Sequence, residues 1–350
     1  RILQVEENNV PALHILGLIK ASQAQYREAA NLLGRAANIT PEDPAITYNL
    51  AKALMDGGFL HDSIVHHEKT IQLMPDNPQA WLNFGEAESG LGKHDCALAC
   101  YMKALNLQPN YAEAALNVGA TYKELMQFEE AIIYAKKALS INPSLAQAWS
   151  NKGVALKELK RYDEALSHFD KALNIKPNYI EAHTNKAVTL HELGRYDQAV
   201  AHYQEALNQN PRLDWLSGEM LHAKMKMCDW LGFEESIKKL KSDILIEQRV
   251  CAPFALLALV DDPASHKKCS EIYVKSKYPT KNDLGEIERR PRGEKIRIGY
   301  YSADFHNHAT GYLIAELFEL HDKDKFELIG FSFGPNQIDE IRNRLVNSFD

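Results

Sequence analysis

Residues 146–179 read AQAWSNKGVALKELKRYDEALSHFDKALNIKPNY, and the same pattern returns along the first two-thirds of the chain. A proline recurs every thirty-four residues, at Pro41, Pro75, Pro109, Pro143, Pro177 and Pro211. Small residues keep the same period, at Gly17, Ala51, Gly85, Gly119, Gly153 and Ala187. Repetition at a fixed period of this length is typical of repeat architectures, in which each repeat is one supersecondary unit that packs on its neighbours.

The residue types in these columns indicate a pair of helices per repeat. Small residues let two antiparallel helices approach closely, and larger residues fill the remaining space between them. Proline lacks an amide hydrogen, so it suits the loop between helices or the first turn of a helix. Glycines such as Gly92 and Gly194 mark the turn inside a repeat.

With the motifs Trp149-x2-Lys152-Gly153 and Tyr162-x2-Ala165, these columns resemble the tetratricopeptide repeat. The resemblance implies a mostly α fold, with six full repeats over residues 10–213 forming a right-handed α-solenoid. Its concave face would be built mainly from the first helix of each repeat. Residues 1–9 are expected to be the tail of a preceding repeat. Because the chain begins with Arg1 rather than Met, we expect it to be a piece of a longer protein.

One column of the repeats is a candidate peptide-binding surface. An asparagine stands two residues before the small residue of the first helix in five of the six repeats, at Asn49, Asn83, Asn117, Asn151 and Asn185. Asparagine is disfavoured in a helix interior, so five in register point to a shared task. An amide offers donors and an acceptor that match the backbone of an extended peptide of any sequence. We predict peptide binding along this column; the alternative is a structural role inside the repeats.

Four acidic residues share another position near the end of the first helix, namely Asp56, Glu124, Glu158 and Glu192. They would either favour basic partners or form a solvated rim.

Composition limits the class of protein. Apolar residues make up 45% and charged residues 25% of the chain, which are ordinary values for a globular protein. No run approaches the roughly 20 apolar residues of a membrane-spanning helix, and a net charge of -7 argues against nucleic acid as a partner. The five cysteines are scattered, which favours reduced thiols and a cytoplasmic location. Self-association remains open.

Beyond Pro211 the period ends, and residues 214–294 are predicted to be a helical connector followed by a polar linker over 278–294. Asp262 is placed to cap a helix that begins at Pro263. From Lys295 the pattern changes to strand (296–301), helix (310–321) and strand (326–333). This is the opening βαβ of a Rossmann-like α/β domain. The polar loop after the first strand lies where ligands bind in such sheets.

That loop, Ser302-x-Asp304-Phe305-x-Asn307-His308-x-Thr310, resembles the start of the catalytic region of protein O-GlcNAc transferases, in glycosyltransferase family 41. The segments Asp214-Trp215-Leu216, Cys228-Asp229-Trp230 and Asp261-Asp262-Pro263 resemble the stretch that joins repeats to catalytic region in that family. The order of the parts, a repeat array followed directly by this module, resembles that family as well. Residues 295–350 would then be the truncated start of the N-terminal catalytic half.

The resemblance implies inverting transfer of a sugar from a UDP-sugar, with UDP-GlcNAc as the expected donor, to Ser or Thr of proteins held by the repeats. It implies no cofactor and no metal. His308 falls on the active-site histidine, as a general base or as a hydrogen-bond donor to the sugar or pyrophosphate. Asp304 and Asn307 would shape the loop, Thr310 would cap the next helix, and His306 is given no catalytic role.

We expect residues 1–350 alone to be inactive, because the second catalytic half would carry most of the nucleotide pocket. The alternative is a non-catalytic tetratricopeptide scaffold that binds peptides.

Overall fold

The computed structural model describes residues 2–279, 293–334 and 338–350. The chain divides into two compact units, residues 1–279 and residues 280–350. The division falls inside the linker predicted over 278–294. The basic stretch 289–292 of that linker lies outside the described residues.

Six helix pairs fill most of the first unit, after a short helix α1 (Ile2–Val5). The first helices of the pairs are α2 (Val10–Ser22), α4 (Pro44–Asp56), α6 (Pro78–Gly90), α8 (Ala112–Glu124), α10 (Ala146–Glu158) and α12 (Ile180–Glu192). The second helices are α3 (Tyr26–Ile39), α5 (Leu60–Leu73), α7 (His94–Leu107), α9 (Phe128–Ile141), α11 (Tyr162–Ile175) and α13 (Tyr196–Gln209). Every helix packs on its partner and on the next pair, which confirms the predicted tetratricopeptide solenoid.

The small-residue column is where a large side chain of the second helix enters the first. A Cβ atom on Gly85 would lie 2.5 Å from a ring carbon of Tyr101, and one on Gly153 would lie 2.6 Å from a ring carbon of Phe169. Both aromatic residues are buried. At these two positions the small residue is therefore a packing requirement, because any larger side chain would collide with the ring sixteen residues later.

The proline column ends each second helix. Each proline stands two residues after the last residue of the helix, as at Ile39 and Pro41. Its carbonyl is used as well, since the ring N–H of Trp149 donates to the carbonyl of Pro143 (2.9 Å). The following first helix has a side-chain cap in three repeats, from Asn9, Asp43 and Asn77.

The turn inside each repeat uses one residue with left-handed backbone. This residue has φ between +58° and +79° in all six repeats, at Ala24, Gly58, Gly92, Met126, Lys160 and Gly194. The glycines that the sequence marked as turns belong to this column, which also contains three residues with a Cβ atom. Such residues pay a conformational cost that glycine avoids.

Four further helices complete the first unit: α14 (Leu216–Lys226), α15 (Phe233–Leu245), α16 (Pro253–Leu259) and α17 (Pro263–Lys277). They share a core that includes Leu240, Ile244 and Leu256. The side chain of Asp262 accepts a hydrogen bond from the amide of Ala264 (3.2 Å), which confirms the predicted cap of α17.

The second unit contains β1 (Ile296–Ser302), α18 (Ala309–Glu319), β2 (Phe326–Ser332) and α19 (Glu340–Val346). The two strands are parallel and in register from Ile296 opposite Phe326 onward, which confirms the predicted strand–helix–strand opening of an α/β domain. The core of the unit contains Phe318 and Leu328. In the described parts of the chain, no helix combines the length and the apolar character needed to cross a membrane.

Candidate functional site

The loop between β1 and α18, residues 303–308, is fixed against the core of the second unit. Phe305 is buried and packs edge-on against the ring of Phe318, with centroids 6.0 Å apart. Gly311 in the first turn of α18 allows the loop to lie flat, because a Cβ there would come within 2.6 Å of the carbonyl oxygen of His306. The loop is therefore held in one shape at the carboxyl end of β1, where α/β sheets bind ligands.

Asn307 ties this loop to the next helix. Its backbone N–H donates to Oδ2 of Asp339 (2.8 Å), and its side-chain oxygen accepts from the amide of Ile341 (3.3 Å). Asp339 also caps α19 by accepting from the amide of Arg342 (2.8 Å). The backbone hydrogen bonds from Arg342 and Asn307 lower the pKa of the Asp339 carboxyl, so it stays ionised. The predicted loop-shaping role of Asn307 is consistent with these contacts, and Asp339 is a partner that the sequence did not single out.

His308 is the N-cap residue of α18. Its Nδ1 accepts a hydrogen bond from the amide of Thr310 (3.3 Å), and Oδ2 of Asp304 lies 3.7 Å from the same nitrogen. The expectation that Thr310 caps this helix is wrong, since the helix begins one residue earlier and the imidazole takes the capping position. A neutral ring whose Nδ1 accepts carries its proton on Nε2. The side chain is 47% exposed, so the Nε2–H donor can reach a ligand.

The four predicted loop residues, Asp304, Asn307, His308 and Thr310, thus lie within one loop and one helical turn. In the described part of the second unit, no three His, Cys, Asp or Glu side chains converge as metal ligands do.

The asparagine column lies on the first helices of the repeats, and part of it is engaged within the protein. Nδ2 of Asn49 lies 2.9 Å from Nε2 of His14, and Nδ2 of Asn83 donates to the hydroxyl of Tyr48 (3.0 Å). Asn83 is only 2% exposed. These two bonds join α4 to α2 and α6 to α4. At Asn49 and Asn83 they correspond to the structural role that the sequence left open as the alternative.

Further along the column two of the asparagines adjoin a cavity. Asn117 and Asn151 line a cavity of about 380 Å³, together with Tyr101, Thr121 and Gln147. Asn117 donates only a long hydrogen bond (3.4 Å), to the carboxylate of Glu86 on the first helix of the preceding repeat. Nδ2 of Asn151 is buried without a partner in the described part of the chain. A buried donor without an acceptor costs about 1–3 kcal/mol, so a ligand carbonyl that reached this amide would relieve that cost.

The four acidic residues of the other column are exposed at the ends of the first helices. Three pair with nearby lysines: Asp56 with Lys52 (3.2 Å), Glu124 with Lys123 (3.1 Å) and Glu158 with Lys157 (2.7 Å). Exposed pairs of this kind add little stability and leave little net charge for a basic partner.

Comparisons with known families match both parts of the chain. Residues 267–350 match the model of glycosyl transferase family 41, and residues 78–111, 100–133 and 144–211 match tetratricopeptide repeat models. Both resemblances predicted from the sequence are therefore confirmed over these ranges.

Two curated relatives carry a matching description. The chain is 26% identical over 137 residues to UDP-N-acetylglucosamine--peptide N-acetylglucosaminyltransferase of Caenorhabditis elegans, covering 35% of this chain. It is 26% identical over 141 residues to the probable enzyme of the same description, SEC, of Arabidopsis thaliana, covering 36% of this chain. The matches span 12% and 14% of the length of these relatives.

Among solved structures, the Cut9 and Hcn1 assembly of the APC/C is similar with a TM-score of 0.55 and 18% identity, over 63% of this chain and 44% of that one. The type IV pilus biogenesis factor PilW is similar with a TM-score of 0.53 and 21% identity, over 57% of this chain and 93% of that one. At these identities the likeness shows the solenoid fold alone.

Proposed function

We propose that this chain is part of a protein glycosyltransferase of the O-GlcNAc transferase type. The enzyme would transfer GlcNAc from UDP-GlcNAc, with inversion, to Ser or Thr of cytoplasmic proteins. The observation that carries the proposal is the succession of a repeat solenoid and a segment, residues 267–350, that matches family 41. The names of both relatives, as UDP-N-acetylglucosamine--peptide N-acetylglucosaminyltransferases, support this donor and a peptide acceptor.

The repeats would hold the acceptor polypeptide. The unpartnered amide of Asn151, beside Asn117 and above a cavity, supports binding of a peptide backbone at this part of the solenoid. A backbone carbonyl of an extended peptide would satisfy Nδ2 of Asn151 without requiring any particular sequence. Asn185, one repeat further, would continue the same row.

His308 would act as a hydrogen-bond donor to the sugar nucleotide. In the observed geometry Nδ1 is engaged by the amide of Thr310, which leaves Nε2–H for an acceptor such as a sugar hydroxyl or a phosphate oxygen. A general base at Nε2 needs the proton on Nδ1 instead, donated to the hydroxyl of Thr310 (3.2 Å) or toward Asp304 at 3.7 Å. The hydrogen bond from the amide of Thr310 requires a lone pair on Nδ1, and this favours the donor role. No metal ion is required for it.

The competing function is a non-catalytic scaffold that binds peptides, and the unpartnered amide of Asn151 supports it equally. We expect residues 1–350 alone to be inactive under both functions, because the resemblance implies a donor pocket shared by two Rossmann-like halves.

The decisive experiment measures GlcNAc transfer from labelled UDP-GlcNAc by the intact protein that contains this chain. His308→Asn is the sharpest variant, because asparagine is a strong N-cap and keeps the start of α18 while the imidazole is lost. We expect transfer to fall about 100-fold or more, with peptide affinity kept. His306→Asn in the same loop is the matched control and should stay close to the wild type. Peptide binding without transfer from any UDP-sugar would support the scaffold.

The peptide-binding part has its own test. Replacing Asn117, Asn151 and Asn185 by Ala should weaken binding of an unstructured acceptor about tenfold or more, measured by fluorescence anisotropy. Asn208→Ala, an exposed amide on a second helix, is the control. Unchanged affinity in the triple variant, with helix content preserved, would show that the column is structural.

A further inference from the structure

Three ligand-type side chains meet where the last repeat joins the connector helices. His191 lies in the last turn of α12, while Glu219 and His222 lie three residues apart on α14. Residues at this spacing share one face of a helix. Because the histidine of α12 and the pair on α14 are far apart in sequence, no short motif announced the group, although Glu219-x-x-His222 is a visible part of it.

The donor atoms are close enough to share one ion. Nδ1 of His191 lies 3.7 Å from Oε2 of Glu219, and the rings of His191 and His222 have centroids 5.4 Å apart. One donor atom from each of the three residues lies within 4.8 Å of the others. Ligands bound at about 2.0–2.2 Å to a tetrahedral zinc ion lie about 3.4 Å apart, so small side-chain rotations would close the site.

Two of the three side chains are free of hydrogen bonds to the other described residues. Within residues 2–279, 293–334 and 338–350, the side chains of Glu219 and His222 make no hydrogen bond, and no other group of three such residues converges in this way. The side chains of His191 and Glu219 are only 16% and 31% exposed. A partly buried carboxylate is stabilised by a cation.

A cavity adjoins the three residues. It has a volume of about 480 Å³ and is lined by Val188, Tyr203, Phe254 and Ala255 as well as by the ligand group. The hydroxyl of Tyr203 lies 3.3 Å from Nδ1 of His191, the nitrogen that also faces Glu219, so an ion bound there would take the place of this contact. The cavity leaves room for water on the ion, so three protein ligands suffice.

We propose that His191, Glu219 and His222 bind one divalent transition-metal ion of the zinc class, with water in the remaining position. Two imidazoles and one carboxylate suit zinc rather than magnesium or calcium, which prefer oxygen ligands alone. The ion would link the end of the repeat solenoid to α14. Since the ligands come from two helices that meet only in the folded protein, binding would stabilise this junction. The site is separate from the proposed transferase chemistry.

The test uses the full 350-residue chain without a histidine tag, stripped of metal and titrated with Zn²⁺ against a chromophoric chelator. We expect one ion per chain, and a visible spectrum of low-symmetry coordination when Co²⁺ replaces Zn²⁺. Glu219→Gln, which keeps the shape of the side chain, and His222→Ala should each weaken Zn²⁺ binding at least about tenfold. His61→Ala, which removes an exposed histidine on α5, should leave affinity unchanged.

Thermal unfolding provides the second readout. Zn²⁺ should raise the unfolding midpoint of the wild type and of His61→Ala, and should leave that of Glu219→Gln in place. The proposal is overturned if the wild type binds no Zn²⁺ at micromolar concentration, or if folded Glu219→Gln binds as tightly as the wild type.

Discussion

At the scale of single residues, His67 on α5 carries the clearest energetic consequence. It is 1% exposed, and neither ring nitrogen has a hydrogen-bond partner in the described part of the chain. Its ring stacks on Phe84, with centroids 6.0 Å apart. Burial, with smaller effects from the charges of His66 and Lys52, lowers the pKa of His67 to about 4. The folded protein therefore keeps this imidazole neutral at pH values where an unfolded chain protonates it.

Replacing His67 by Leu should remove a pH-dependent loss of stability. Between about pH 6.5 and about pH 4 the unfolded chain binds one proton more at this site, so stability falls as pH falls. The loss from this residue between pH 7.5 and pH 5 is about 2 kcal/mol. Urea unfolding at both pH values should show that His67→Leu increases the free energy of unfolding, relative to the wild type, more at pH 5 than at pH 7.5. The exposed His61→Leu is the control, and an equal gain at both pH values would contradict the assignment.

At the scale of elements, one residue with left-handed backbone forms the turn that connects the first helix of each repeat to the second. Glycine occupies this position in three repeats, while Ala24, Met126 and Lys160 occupy it in the others. The left-handed conformation destabilises the folded state by roughly 1–2 kcal/mol when the residue has a Cβ atom. Glycine avoids this cost, but it also makes the unfolded chain more flexible, and this offsets part of the gain.

Met126→Gly should therefore stabilise the protein, by about 0.5–1 kcal/mol. Met126 is exposed, so little burial is lost with its side chain. Thermal unfolding measures the gain in stability. Gly92→Ala, at the same position of another repeat, should lower the stability by a similar amount. A stabilising Gly92→Ala would show that the turn conformation is not the controlling factor.

Elements were also the level at which the sequence was most informative. The period of thirty-four residues located every helix pair, because small residues recur where the two helices of a pair pack closely, as at Gly153 against Phe169. The start of α18 was misplaced by one residue, because a histidine rarely caps a helix and Thr310 is the more usual choice. The contact between Asn307 and Asp339 joins two loops and occurs once, so no pattern announced it.

The candidate site was predictable to the same degree. The loop that carries His308 was located from its motif, whereas the orientation of the imidazole toward Thr310 depends on three-dimensional contacts. The asparagine column was visible in sequence, yet the burial of Asn83 and the unpartnered amide of Asn151 are set by the local neighbours of each repeat. A column of identical residues does not fix the environment of its members.

At the scale of the whole solenoid, each repeat contacts mainly its neighbours, so damage should stay local. Gly153→Val forces a side chain into the ring of Phe169 and should cost about 1–3 kcal/mol. Hydrogen exchange should show the largest loss of protection in α10 and α11, less in α9 and α12, and almost none in α2 and α3.

Gly34→Ala is the matched control for this experiment. Its added methyl group meets nothing within 4 Å, and alanine favours the helix, so protection should be kept or raised. Uniform loss of protection along all six pairs in Gly153→Val would mean that the solenoid unfolds as one cooperative block.

The equal lengths of the helix pairs have an evolutionary consequence. Each first helix has thirteen residues and each second helix has fourteen, so successive pairs follow one another at a constant spacing along the chain. An in-frame duplication or deletion of one such module would leave the remaining junctions intact. Evolution can thus lengthen or shorten the solenoid one helix pair at a time while the contacts between the other pairs are kept.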